Sequence, residues 1–310
     1  MNRVLFLFID GIGLGPGGAS NPLSAQALPA FRALADGTDW TADASRVTRP
    51  RHVFRPLDAT LGVEGLPQSG TGQATLFTGT NCAKRAGRHF GPFPHSSSKP
   101  VLAESSIFHE ARALFDEQPD AAVAFANAYP PRFFTHAEER DRWTVTTRAC
   151  RAAGVRLRRT GDLRAGRALA ADLTADGWHE HLGHSDVPRL SPADAGRQLL
   201  RLSRDHALTV FEYYLTDKAG HGTPASVLSD LNALFDALLA NSRPAEELLL
   251  ITSDHGNIED PATTTHTRNP VPLVAYGRGA DAFADARDLT DVMPAALDAL
   301  SATGTPAAAS

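Results

Sequence analysis

At 310 residues, with 42% apolar and 21% charged side chains, the chain is sized for one large globular domain or a core with a small insertion, and it is too apolar for disorder. A net charge of −5 without any long basic run gives no reason to expect a nucleic-acid partner. Two cysteines, Cys82 and Cys150, are too few for a disulfide framework or a thiolate zinc site and fit a reducing compartment.

The first element is the apolar run Val4–Ile9. It is short, ends in Asp10 and leads into Gly-Ile-Gly rather than a small-residue cleavage site, so it reads as a buried strand and not an export signal. No other run approaches transmembrane length, and a cytoplasmic location without a membrane partner is expected. Asp10 at the strand end is either a metal ligand or an Asx-turn residue. Leu23–Asp36 has the pattern of an amphipathic helix, and Arg46–Thr60 that of a loop with one short strand. Residues 69–79, SGTGQATLFTG, read as a short helix stopped by Gly79. Ser69 then falls at the helix N-terminus, either as its cap or beside a bound anion.

Ser105–Phe115 is read as a helix and Ala121–Ala128 as a strand. From 131 to 190 buried-strand runs stop and arginines become dense, which suggests a small inserted cap or a set of solvated helices. Ser191-Pro192 opens another helix. The strand Ala207–Leu215 ends in Asp217 and His221, whose spacing is one helical turn. Helix Val227–Leu239 and strand Leu248–Ile251 follow, and the strand delivers Asp254 and His255 at its C-terminal end. Open α/β sheets place ligands there. His266 sits in a polar loop before the last strand, Val271–Tyr276, and the tail 301–310 is expected to be flexible. The alternation of strand and helix predicts an α/β three-layer sandwich, a mostly parallel central sheet flanked by helices. Its core would be residues 1–130 and 191–300, with 131–190 as the cap.

Asp10, Asp217, His221, Asp254, His255 and His266 thus follow strand ends or lie on adjacent loops, with the Ser69 hydroxyl beside them. Six oxygen and nitrogen ligands without sulfur suit two divalent ions of the zinc or manganese kind better than magnesium alone. The stretches FIDGIG at Phe8–Gly13, SGTGQ at Ser69–Gln73, DKAGHG at Asp217–Gly222, SDHGNIED at Ser253–Asp260 and HTRNPVP at His266–Pro272 resemble, in order, those of the alkaline phosphatase superfamily. The likeness is to the branch of cofactor-independent phosphoglycerate mutase and phosphopentomutase. It implies one metal held by Asp10, Asp254, His255 and Ser69, and another held by Asp217, His221 and His266. Ser69 takes the nucleophile's place, with Thr71 as a rival two residues on.

Two departures bear on activity. Gln73 stands where the mutases carry His, and residues 131–190 are far fewer than the mutases' inserted domain. Retaining an intermediate away from water is harder under a small cap. The expected activity is therefore a two-metal phosphate-ester hydrolase acting on a small phosphorylated substrate. A mutase of the phosphoglycerate or phosphopentose kind is the alternative, and a non-catalytic metal-binding module a further one. Arg88, His89, Asn127 and Arg132 are candidate substrate contacts, with the cap arginines available to a second anionic group.

Overall fold

The computed structural model describes residues 2–115, 117–222 and 226–302. Nine strands are present among them: β1 (Arg3–Ile9), β2 (Val47–Arg49), β3 (His52–Leu57), β4 (Val123–Phe125), β5 (Ala128–Tyr129), β6 (Arg158–Arg159), β7 (Leu208–Tyr213), β8 (Glu247–Thr252) and β9 (Val271–Gly277). Seven form one sheet in the order β2-β3-β9-β8-β1-β7-β4, while β5 and β6 pair separately.

Strand β1 lies between β7 and β8, parallel to both, with Phe8 opposite Glu212 on one side and Thr252 on the other. The apolar run of β1 is continuous because both its faces are covered. Val4, Phe6 and Phe8 face the helices Ser69–Thr78, Val145–Ala152 and Val292–Ser301 through Phe77, Val145 and Ala296. Leu5, Leu7 and Ile9 face Pro29–Leu34, Pro192–Ser203 and Val227–Asn241 through Phe31, Leu199 and Phe235. The result is an α/β three-layer sandwich.

The expected parallel character holds for β4, β7, β1 and β8, whereas β9 runs antiparallel to both β8 and β3. An apolar run does not encode its direction, because parallel and antiparallel buried strands present the same two faces. The segment 46–60 is a hairpin, β2 and β3, turning at Pro50-Arg51 rather than a loop with one strand. The helix expected over Leu23–Asp36 is broken into Pro22–Ala25 and Pro29–Leu34. Pro29 opens the second helix, and proline disfavours helical backbone in the residue before it.

Residues 131–190 divide by packing. Val145, Ala149, Cys150 and Leu157 belong to the main core, whereas Leu163, Ala168, Ala170, Trp178 and Val187 form a smaller cluster with Ala128. Several arginines of this segment are engaged internally. Arg156 and Arg167 pair with Asp162, Arg164 with Asp186 and Arg148 with Asp141. Arg151 and Arg159 lie over the rings of Trp143 and Phe134, each 3.8 Å from the centroid. Helix Val292–Ser301 takes in the first residue of the expected tail, and residues 303–310 lie outside the described residues. Among the described residues no helix is long and apolar enough to cross a membrane.

Candidate metal centre and nucleophile

The C-terminal ends of β1, β7 and β8 converge because the three strands are parallel neighbours. The chain stitches these ends together with backbone contacts. Asp10 N–H donates to Tyr213 O at 2.9 Å, Ile258 N–H to Gly11 O at 3.1 Å, and the Thr216 hydroxyl to Asp10 O. Gly11, at φ +74°, lies so close to Asp217 that a Cβ there would stand 2.8 Å from the Asp217 Cα. Helix Ser69–Thr78 approaches from the next layer through Gly72, where a Cβ would meet the Asp254 carbonyl oxygen at 2.9 Å.

Two groups of ligand-type side chains result, Asp10–Asp254–His255 and Asp217–His221–His266, the ligand atoms within each lying within 4.8 Å of one another. In the first, His255 Nε2 stands 3.2 Å from Asp10 Oδ1 and 3.6 Å from Asp254 Oδ2, all three residues being buried. In the second, Asp217 Oδ1 lies 3.4 Å from His221 Nε2 and 3.5 Å from His266 Nε2. The rings of His255 and His266 stack at 3.7 Å between centroids and 13° between planes, so the two groups share a wall.

Burial, together with the carboxylates of Asp254, Asp217 and Glu212, pushes Asp10 well above the ordinary carboxylate range. Asp10 Oδ1 and Asp254 Oδ1 are buried and make no hydrogen bond among the described residues. Unpaired buried carboxylate oxygens are costly, and a divalent cation beside them removes the cost. At Asp217 burial works upward but is outweighed by the His266 hydrogen bond, His255 and Asn257, which hold the carboxylate at about 2. His221 Nδ1–H donates to Thr264 O and His266 Nδ1–H to Pro67 O, each at 2.7 Å. Since a carbonyl only accepts, each Nδ1 carries a hydrogen and each Nε2 is turned toward Asp217, the ring orientation that metal-bound histidines use. The donor set and its surroundings fit divalent ions.

Ser69 is the first residue of its helix, after the N-cap position held by Gln68, whose side chain makes no capping hydrogen bond, so Ser69 is not the cap. Its Oγ is 3.0 Å from His255 Nε2, at the wall between the two groups. Thr71 is fully buried, its hydroxyl donating to Gln68 O at 3.2 Å and accepting from Phe90 N–H at 3.1 Å. The Thr71 N–H is also taken, by Phe90 O at 2.9 Å.

The four candidate substrate residues are scattered. Asn127 is engaged with the Glu212 backbone, donating to its carbonyl at 2.7 Å and accepting from its N–H at 2.8 Å, so its amide extends the β4–β7 ladder. His89 is tied to Val63 O at 3.3 Å, Arg88 lies over Phe90 at 5.6 Å, and Arg132 is exposed at the start of helix Pro131–Arg140.

Other residues matter that the sequence reading did not assign to the site. The Glu259 carboxylate accepts from Gly13 N–H at 2.9 Å, Asn257 N–H at 2.8 Å, Asn269 Nδ2 at 3.0 Å and the Thr267 hydroxyl, tying three motif loops together. Asn257 Nδ2 donates to Asp217 Oδ1 at 2.7 Å. Gln73 Nε2 donates to both Asp10 and Asp254. Glu212, a buried carboxyl raised to about 7 by burial with Asp254 nearby, sits inside the run ALTVFEYYL. A lone charge in a buried strand is the signal by which it could have been found.

A family model described as Metalloenzyme superfamily matches residues 188–303, the part that supplies five of the six ligands. The 2,3-bisphosphoglycerate-independent phosphoglycerate mutase of Yersinia pestis is 31% identical over 123 residues, 36% of this chain and 24% of that protein. The same enzyme from Cronobacter sakazakii is 32% identical over 123 residues with the same coverage. Alkaline phosphatase from the Antarctic bacterium TAB5 superposes with a TM-score of 0.52 at 12% identity, covering 98% of this chain and 100% of that one.

The fold is alkaline phosphatase-like, and residues 188–303 carry the metalloenzyme-superfamily match.

A protein from Pyrococcus horikoshii shares the fold at a TM-score of 0.55 and 14% identity, each chain covered to 99%. The chain spans only about a quarter of the length of the curated mutases it matches, so the likeness does not carry their reaction over.

Proposed function

We propose that the protein is a two-metal phosphate-ester hydrolase acting through a phosphoserine at Ser69. The observation that carries this reading is the Ser69 Oγ, 3.0 Å from His255 Nε2, at the wall between the two ligand groups. Asp10, Asp254 and His255 would hold one divalent ion and Asp217, His221 and His266 the other, manganese or zinc by the mixed oxygen–imidazole donor set. When bound, the ions supply Lewis-acid activation of the serine hydroxyl and neutralise charge on the phosphoryl group.

The chain's own residues orient and position. Helix Ser69–Thr78 fixes the serine, which attacks phosphorus while the bond to the ester oxygen breaks. The serine's proton is lost and the leaving oxygen gains one. Water then attacks the phosphoserine, releasing orthophosphate and restoring the hydroxyl. Arg88, Arg132 and Arg268, the last anchored through Gly65 O at 2.9 Å, are the cations proposed to meet a small anionic substrate. Asn127 leaves that set, because its amide is committed to the backbone.

A mutase is the second reading, favoured by the named sequence relatives. Against it stands the segment 131–190, whose arginines are largely paired with its own carboxylates or rings. A non-catalytic metal-binding module would have no use for a serine at that position.

The test is a manganese- or zinc-loaded assay on phosphate mono- and diesters, following free phosphate and isomerised ester. Hydrolysis predicts free phosphate that falls by at least about 10³-fold in Ser69→Ala. Isomer without free phosphate would establish the mutase instead, and bound metal without either product the binding module.

A further inference from the structure

The structure assigns Gln73 as the positioning residue of the Asp10–Asp254–His255 group, sorting the four oxygens of the two carboxylates. This rests on the reading of that group as a metal site. Gln73 is buried one turn after Ser69 on the same helix. Its Nε2 lies 3.3 Å from Asp10 Oδ2 and 3.2 Å from Asp254 Oδ2. Carboxylates accept and a side-chain amide nitrogen carries two hydrogens, so one amide can serve both. The oxygens left over are Asp10 Oδ1 and Asp254 Oδ1, which are buried and without a hydrogen-bond partner among the described residues. They are the pair available to a cation.

The sorting does two things. It leaves one oxygen of each carboxylate without a hydrogen-bond partner and open to an ion, and it holds two mutually repelling groups together before the ion arrives. A neutral histidine in this place carries one N–H and would serve one carboxylate at a time. Gln73 therefore gives this chain a first metal site with its carboxylates already paired. Partners that orient metal ligands in this way are worth roughly 10- to 100-fold in metal affinity.

The experiment is calorimetric titration of Mn²⁺ into the EDTA-stripped full-length protein and its Gln73→Leu and Gln73→His variants, with circular dichroism to verify the fold. The expected result is two ions bound by the wild type, one of them weakened roughly 10- to 100-fold in Gln73→Leu with the other unchanged, and Gln73→His in between. Should the leucine variant fail to fold, the histidine variant carries the comparison. Equal affinity in variants and wild type, or equal weakening of both ions as general loosening would give, overturns the assignment alone. A wild type that binds no ion overturns the assignment and the metal site together. One-site weakening supports the assignment whether or not any ester is hydrolysed, so failure of the hydrolase reading is seen separately.

Discussion

Glu212 shows at the residue scale how burial sets charge. Its carboxyl is raised from 4.5 to about 7, burial being the main cause. An acid whose folded value exceeds its unfolded one binds more protons in the native state between those values, so stability falls as pH rises from about 4.5 to about 7. Asp10, raised by burial and its carboxylate neighbours, acts in the same direction. For the EDTA-treated protein, urea unfolding should show stability lower at pH 8 than at pH 5, with roughly 3 kcal/mol arising from Glu212. Glu212→Gln should remove that portion of the slope, and an unchanged slope would count against the assignment. Cys82 and Cys150, both buried with thiols pushed up by burial, should stay unmodified by thiol reagents until the chain unfolds.

The element that decides the site is helix Ser69–Thr78, which must come close enough to β8 for Ser69 and Gln73 to reach His255 and Asp254. Gly72 permits that approach. In Gly72→Ala the new methyl would stand 2.9 Å from the Asp254 carbonyl oxygen and 3.0 Å from its Cβ, so the helix or the strand end must shift. We expect about 1–3 kcal/mol of destabilisation and weaker binding at the Asp10–Asp254–His255 group. The control is Gly161→Ala, in open space on helix Thr160–Arg164, which should change stability by no more than about 0.5 kcal/mol. Thermal melts of the two variants with and without Mn²⁺ make the comparison. A Gly72→Ala protein as stable as the control would mean that the helix has slack at this contact.

The whole chain gathers candidate ligands from loops more than two hundred residues apart at the C-terminal ends of its central strands. Metal bound only by the folded state must then raise the melting temperature with its concentration, and chelation must lower it. A melting temperature indifferent to EDTA would remove the coupling of metal to fold. Much of this was legible in the sequence. Continuous apolar runs marked β1, β7, β8 and β9, because strands covered on both faces need no polar alternation, and Asp10, Asp217 and Asp254 came within a few residues of the strand ends. Pro29 and Pro50 were legible too, yet their breaks in 23–36 and 46–60 were passed over in favour of the apolar pattern. Other features had no local signature. The antiparallel run of β9, the union of Asp10 with Asp254, the amide of Gln73 across both and the loss of Asn127 to the β7 backbone each depend on which segments become neighbours. Sequence by itself determined the elements, through periodicity and backbone preference that act over a few residues, and it supplied the residue types of the site. Only the tertiary structure decided which side chains meet and which are already engaged, because hydrogen bonding and charge pairing act through space between residues the chain holds far apart.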